Sequence, residues 1–233
     1  MKAIAISDSK ANRLFWLGRY AERAYLSLHM LRRYFDLYLD GDPVDFATYA
    51  KNLGPVVKDK LSFEEFAKIY IFDKTNPCSI ISSLTGANDN AIMLREVIKS
   101  ESLSYIQMSV CHLEKLGTCG TLVTVNDLQK ITDCLLAFFG SLEERLYADK
   151  AVAFVRYGRF IESLDMHMRF DYTFNVVRDV FDSMLRWTDI DTSVIDNISL
   201  EKFDVMLTEN NYCLNDAEYR QKMLGMVNRI VNL

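Results

Sequence analysis

From Leu14 onward, apolar residues recur at alternating spacings of three and four: Leu14, Leu17, Ala21, Ala24, Leu28, Leu31, Phe35 and Tyr38. This is the period of an α-helix with one unbroken packing seam, and it predicts a helix of about seven turns. Ser7, Asp8 and Ser9 stand ahead of it as N-cap residues, and Gly41-Asp42-Pro43 marks its end. Less regular patterns predict short helices over Asp45 to Leu53 and Ser62 to Ile71. Asn76-Pro77 supplies a cap followed by proline at a first helical position, opening a helix to about Lys99. Another runs from Ser102 to about Leu116, and Gly117 to Thr121 is the clearest interior loop. Helices resume over Val125 to Tyr147 and Lys150 to Trp187, and two more divide near Asn210-Asn211 within Ser199 to Leu233. No Gly/Ser or Pro linker interrupts the pattern. The expectation is an all-α, single-domain multi-helix bundle over residues 1–233.

One segment occurs twice. Leu17-Gly18-Arg19-Tyr20-Ala21-Glu22-Arg23-Ala24 matches Tyr157-Gly158-Arg159-Phe160-Ile161-Glu162-Ser163-Leu164 in the order Gly, Arg, aromatic, Glu. The correspondence extends outward, with Leu14 opposite Phe154, Leu26 opposite Met166 and Met30 opposite Phe170. We take this as an internal pseudo-repeat of two motif helices.

The face opposite the seam carries Phe15, Trp16, Arg19, Glu22, Arg23, Leu26 and Met30. Apolar residues on both faces mark a helix buried nearly all round. Its charges must then be paired, because a lone buried charge costs several kcal/mol. Arg19 with Glu22, and Arg159 with Glu162, have the spacing to meet on one helix. A mid-helix glycine costs about 1 kcal/mol relative to alanine, and close approach of a second backbone compensates for it. The motif helices are therefore expected to pack near Gly18 and Gly158, bringing the Arg/Glu groups toward a common interior. Two readings of those groups stand: structural ion pairs that set helix register, or the lining of a polar pocket for a ligand or partner.

Composition narrows the classes. Hydrophobic residues make up 50% and charged residues 25%, as in ordinary globular chains. Three prolines and nine glycines favour long helices over turn-rich β structure. The net charge of −5, with basic and acidic residues interleaved, disfavours nucleic acid as a partner. The five cysteines (Cys78, Cys111, Cys119, Cys134, Cys213) are scattered and odd in number, which points to reduced thiols in a cytoplasm. Met1 to Ile6 is too short for a secretory segment or a membrane span.

Familiar chemistry is absent from the sequence: no phosphate-binding glycine loop, no His-Glu-x-x-His, no nucleophile elbow. A di-metal bundle needs Glu-x-x-His, but Glu22 has Tyr25 at that offset and Glu162 has Asp165. Neither a metal nor a cofactor is expected. Cys111-His112 are neighbours whose side chains diverge on a helix, and make a poor dyad.

Three blocks carry a family resemblance. Ala11-Asn12-Arg13-Leu14-Phe15-Trp16-Leu17-Gly18-Arg19-Tyr20-Ala21-Glu22-Arg23-Ala24 resembles the N-terminal signature of the alpha-E family, bacterial helical domains named for a Glu-Arg motif. Asp73 to Glu101 is similar to the second block, through Asn76-Pro77, Ser79-Ile80, Ala87, Asn90, Arg95 and Ser100-Glu101. Phe154 to Arg169 is similar to the third. Two departures stand out: Ser163 follows Glu162 where the family pattern continues Glu-Arg, and Asn88-Asp89 replaces Arg-Glu before Asn90. The resemblance implies association with circularly permuted ATP-grasp ligases and transglutaminase-like peptidases, hence with amide or peptide bonds.

The leading expectation is an accessory or partner subunit of an ATP-grasp-type ligase. In that reading Arg19, Arg23 and Arg159 contact a carboxylate or phosphate group, with Asn76, Asn90 and Arg95 as further binding candidates. Glu22 and Glu162 hold the arginines or act as general acid/base. The alternatives are an enzyme that itself transfers an activated acyl group to an amine, and a purely structural interaction module. A homo-oligomer is compatible with the sequence, and a membrane location is not expected.

Overall fold

The computed structural model describes residues 6–41, 44–54, 60–119, 123–145 and 149–233. Among them are ten α-helices and no β-strand, so the protein is all-α. The chain divides into two compact units, residues 1–19 with 148–233, and residues 20–147. Helix α1 (Asp8–Leu39) contributes its first turns to one unit and the remainder to the other.

The α1 rhythm has the predicted result. Ser7 accepts a hydrogen bond from the Lys10 amide at the N-terminus. Leu14, Leu17, Ala21, Ala24, Leu28, Leu31 and Phe35 are all buried. The second face is buried too at Phe15, Arg19, Glu22, Leu26 and Met30, whereas Trp16 keeps 39% of its surface exposed. Asp42 and Pro43, expected to end the helix, and the start at Met1 to Ala5 lie outside the described residues.

In the contiguous unit, α2 (Phe46–Leu53) is capped by Asp45, whose carboxylate accepts from the amides of Ala47 and Thr48. Ser62 and Glu65 form a reciprocal capping box on α3 (Phe63–Phe66), which runs on as a π-helical turn, Ala67–Ile71. These pieces are too short to persist alone. They are held by an aromatic cluster: Phe46 and Tyr49 each lie 5.1 Å from Phe66, and Phe35 lies 5.4 Å from Phe63. Tyr49 also donates to the Ser27 carbonyl at 2.9 Å.

The next helix, α4 (Ile80–Met93), begins three residues later than expected. Ser79 is its cap, accepting from the Ser82 amide at 3.1 Å. Asn76 is occupied in the preceding turn, donating to the Ile69 carbonyl and accepting from the Cys78 amide, both at 3.0 Å. Helix α5 (Arg95–Cys119) follows at once, broken at Lys99 with φ 71° and ψ 158°. It continues through Gly117 to Cys119, where a loop was expected. A Cβ on Gly117 would lie 3.0 Å from the Phe72 ring, so that glycine admits an aromatic neighbour and is not a turn residue. Gly120 and Thr121 lie outside the described residues. Helix α6 (Val125–Arg145) packs antiparallel on α5, joined by a Ser141–Ser102 hydroxyl bond of 2.8 Å.

The discontinuous unit adds α7 (Asp149–Arg169), α8 (Phe174–Leu185), α9 (Asn197–Met206) and α10 (Ala217–Val227) to the start of α1. The single helix expected over Lys150 to Trp187 is two. Asp171 takes the left-handed conformation, φ 56°, which a short polar side chain tolerates, and Thr173 then stands at the N-cap of α8. The two terminal helices appear as expected, capped by Asp196 and Asp216.

Candidate functional site

The discontinuous unit brings Gly18 and Gly158 against each other's helices. A Cβ on Gly18 would lie 2.1 Å from the Val155 carbonyl oxygen and 3.2 Å from the Arg159 amide nitrogen. A Cβ on Gly158 would lie 2.0 Å from the Phe15 oxygen and 2.9 Å from the Arg19 nitrogen. The two sets of contacts are reciprocal. Phe15 and Arg19 stand to Gly18 as Val155 and Arg159 stand to Gly158. Each glycine is the surface on which the other helix's preceding turn rests, so the repeat is also a pseudo-two-fold contact. The expected crossing is present, and its cause is steric: any side chain at either position would meet backbone.

That approach lets Arg19 reach α7. Its Nε donates to Glu162 Oε2 at 2.7 Å, and the two residues keep 9% and 1% of their surface. Helical spacing pairs Arg19 with Glu22 on its own helix; the bond described here crosses between helices. The Arg19 guanidinium is also 5.2 Å from the Trp16 ring and 5.9 Å from Phe15. These rings shield the cation from water while leaving its charge compensated by the carboxylate.

One turn beyond Glu162 lies Asp165, 1% exposed, which was not among the expected site residues. Arg169 Nε donates to its Oδ2 at 2.5 Å, and Asn228 Nδ2 to its Oδ1 at 3.0 Å. Burial pushes the Asp165 carboxyl up. The bond and charge of Arg169, the Asn228 amide and the charge of Arg19 outweigh that, holding it below the usual carboxylate range. Helical spacing would have found Asp165 and Arg169, which sit three and seven residues past Glu162. Nothing in the sequence pointed to Asn228, 63 positions from Asp165.

The α7 helix is fixed from its other side by Tyr157, fully buried, whose hydroxyl donates to the Trp187 carbonyl at 2.7 Å. Burial pushes that phenol up to about 12. Arg156 lies over the Trp187 ring at 3.9 Å. Arg159 is half-buried on the same helix.

The remaining candidates belong to the contiguous unit. Glu22 is buried and Arg23 half-buried, one turn further along α1. Asn76 serves the turn before α4. Asn90 donates back to the Gly86 carbonyl at 3.0 Å, an internal helical bond. Arg95 is exposed at the start of α5. Among the described residues, no group of three or more His, Cys, Asp or Glu side chains is placed to hold a metal ion, and no helix is long and apolar enough to cross a membrane.

A tight glycine crossing carrying a buried interhelical Arg–Glu pair defines an all-helical domain built on a repeated motif. The chain belongs to the Alpha-E family, described as a predicted alpha-helical domain with a conserved ER motif, whose model matches residues 9–194. Glu22-Arg23 is the Glu-Arg dipeptide of the first repeat, and the second repeat has Glu162-Ser163. No curated protein and no solved structure matches the chain.

Proposed function

We propose that this protein is a cytoplasmic helical partner subunit of a circularly permuted ATP-grasp ligase or transglutaminase-like peptidase, working in amide- or peptide-bond metabolism. Its buried motif charges hold the helices behind the docking surface in register and take no part in bond making. One observation carries this reading. Arg19 and Glu162 are bonded at 2.7 Å, beside a crossing that has no room for a methyl group at Gly18 or Gly158. A general acid/base needs its carboxyl within reach of a substrate proton; Glu162 is 1% exposed and faces a guanidinium.

The test is co-purification of the tagged chain with any ATP-grasp ligase encoded next to it, together with assay of that ligase's product. The partner is expected to be retained, and Glu22→Gln and Glu162→Gln to leave product formation intact wherever the fold survives. A folded Glu22→Gln protein with no turnover would establish the rival reading, an enzyme that transfers an acyl group itself. Failure to retain the ligase, with no effect on its product, removes the partner reading altogether.

A further inference from the structure

The segment after Val194 lies beyond the family match, yet it is tied into the motif unit. Its two ends are fastened together by an antiparallel bridge between Ile195 and Val231. The Asp196 amide donates to the Ile230 carbonyl, and the Asn232 amide to the Val194 carbonyl, each at 2.8 Å. Between these ends α9 and α10 pack on one another, α10 packs on α7, and Tyr219 donates to the Met206 carbonyl at 3.0 Å. Three side chains then reach α7 and the corner after it. Tyr212 donates to the Tyr172 carbonyl at 2.6 Å, Arg220 pairs with Asp171, and Asn228 donates to Asp165. The third differs from the others because its acceptor is a deeply buried carboxylate in the motif network.

We infer that residues 195–232 form a latch coupled to the motif crossing, with Asn228 as the positioning residue that keeps Asp165 from competing with Glu162 for Arg19. Glu162 and Asp165 sit three residues apart on one face of α7, and the charge of Arg19 acts on both. With Arg169 and Asn228 in place, Asp165 has donors on both oxygens. Opening the latch removes the Asn228 amide from Oδ1 and leaves that oxygen only the longer bond from Arg169 Nη2, at 3.4 Å. A buried carboxylate that loses a donor draws harder on both cations whose charge reaches it, Arg169 and Arg19, and the pull on Arg19 loosens its bond to Glu162. Coupling of this kind is reciprocal, so loss of the Asp165 charge loosens the latch in turn.

Native-state hydrogen exchange on the whole chain tests this, and its outcome is independent of whether a ligase partner is found. Asn228→Ala is expected to speed exchange about tenfold both in α10 and over residues 14–19 of α1. Asp165→Asn is expected to speed the same segments, and the double variant to add nothing further. Tyr212→Phe, which loosens the latch elsewhere, is expected to speed α10 and leave residues 14–19 protected. Additive effects, an unchanged α1 segment in Asn228→Ala, or an equal response to Tyr212→Phe each overturn the inference. If Asp165→Asn does not fold, the contrast between Asn228→Ala and Tyr212→Phe decides by itself.

Discussion

At Gly18 the ordinary rule for helical glycines reverses. Exchanging glycine for alanine inside a helix usually gains up to about 1 kcal/mol, because the unfolded chain loses freedom. Gly140 in α6 and Gly225 in α10 have nothing within 4 Å of where an alanine methyl would stand, and their alanine variants should follow that rule. Gly18→Ala and Gly158→Ala should instead cost about 1–3 kcal/mol or more, since a methyl there meets a backbone carbonyl that cannot rotate aside. Urea unfolding of the four variants checks the sign. Asp165 gives a second prediction. Its folded carboxyl is held below the ordinary value, so its contribution is fully present above the unfolded value of about 3.9 and is lost as pH falls through the depressed one. Asp165→Asn should therefore lower the melting temperature at pH 7 and converge on the parent in strong acid. Equal gaps at both pH values would show that the carboxylate charge is not what stabilises. The glycines were legible in the sequence because their cost demands a compensation. The pairing was legible only as to residue type: one helix's spacing cannot reveal that Arg19 would reach across to Glu162.

Among the elements, long rhythmic helices were readable, and interruptions only in part. The α1 seam declared itself because eight positions repeat the same period. The break at Lys99 was expected too, between a helix ending at about Lys99 and one starting at Ser102, but the end of α4 at Met93 was not. Lys99 holds a backbone conformation that glycine adopts freely and other residues resist. It is exposed, so its side chain contributes little packing. Lys99→Gly is accordingly expected to stabilise the protein by about 1 kcal/mol, read from the denaturation midpoint. A loss of stability would mean that the added backbone freedom outweighs the relief. Gly117 teaches the converse: a glycine read as a loop lies within α5 because a ring needed the room. The break at Asp171 belongs to the same class, as its left-handed turn is anchored by Arg220, far away in sequence.

Taken whole, the molecule joins a unit made from one continuous stretch to another assembled from both ends of the chain. This division was invisible in the sequence, because no linker marks it and α1 runs straight through the boundary. Continuous stretches close short loops and form early, whereas contacts between distant segments wait for the chain entropy to be overcome. Pulse-labelled exchange during refolding should protect α5 and α6 before α7, and simultaneous protection would refute that order. During synthesis the same arrangement sets a delay. The first turns of α1 leave the ribosome early, but Glu162 is made 143 residues after Arg19. Throughout that interval Phe15 and Gly18 have no α7 turn against them, and a nascent helix with an apolar flank and an unanswered cation is what a chaperone would meet.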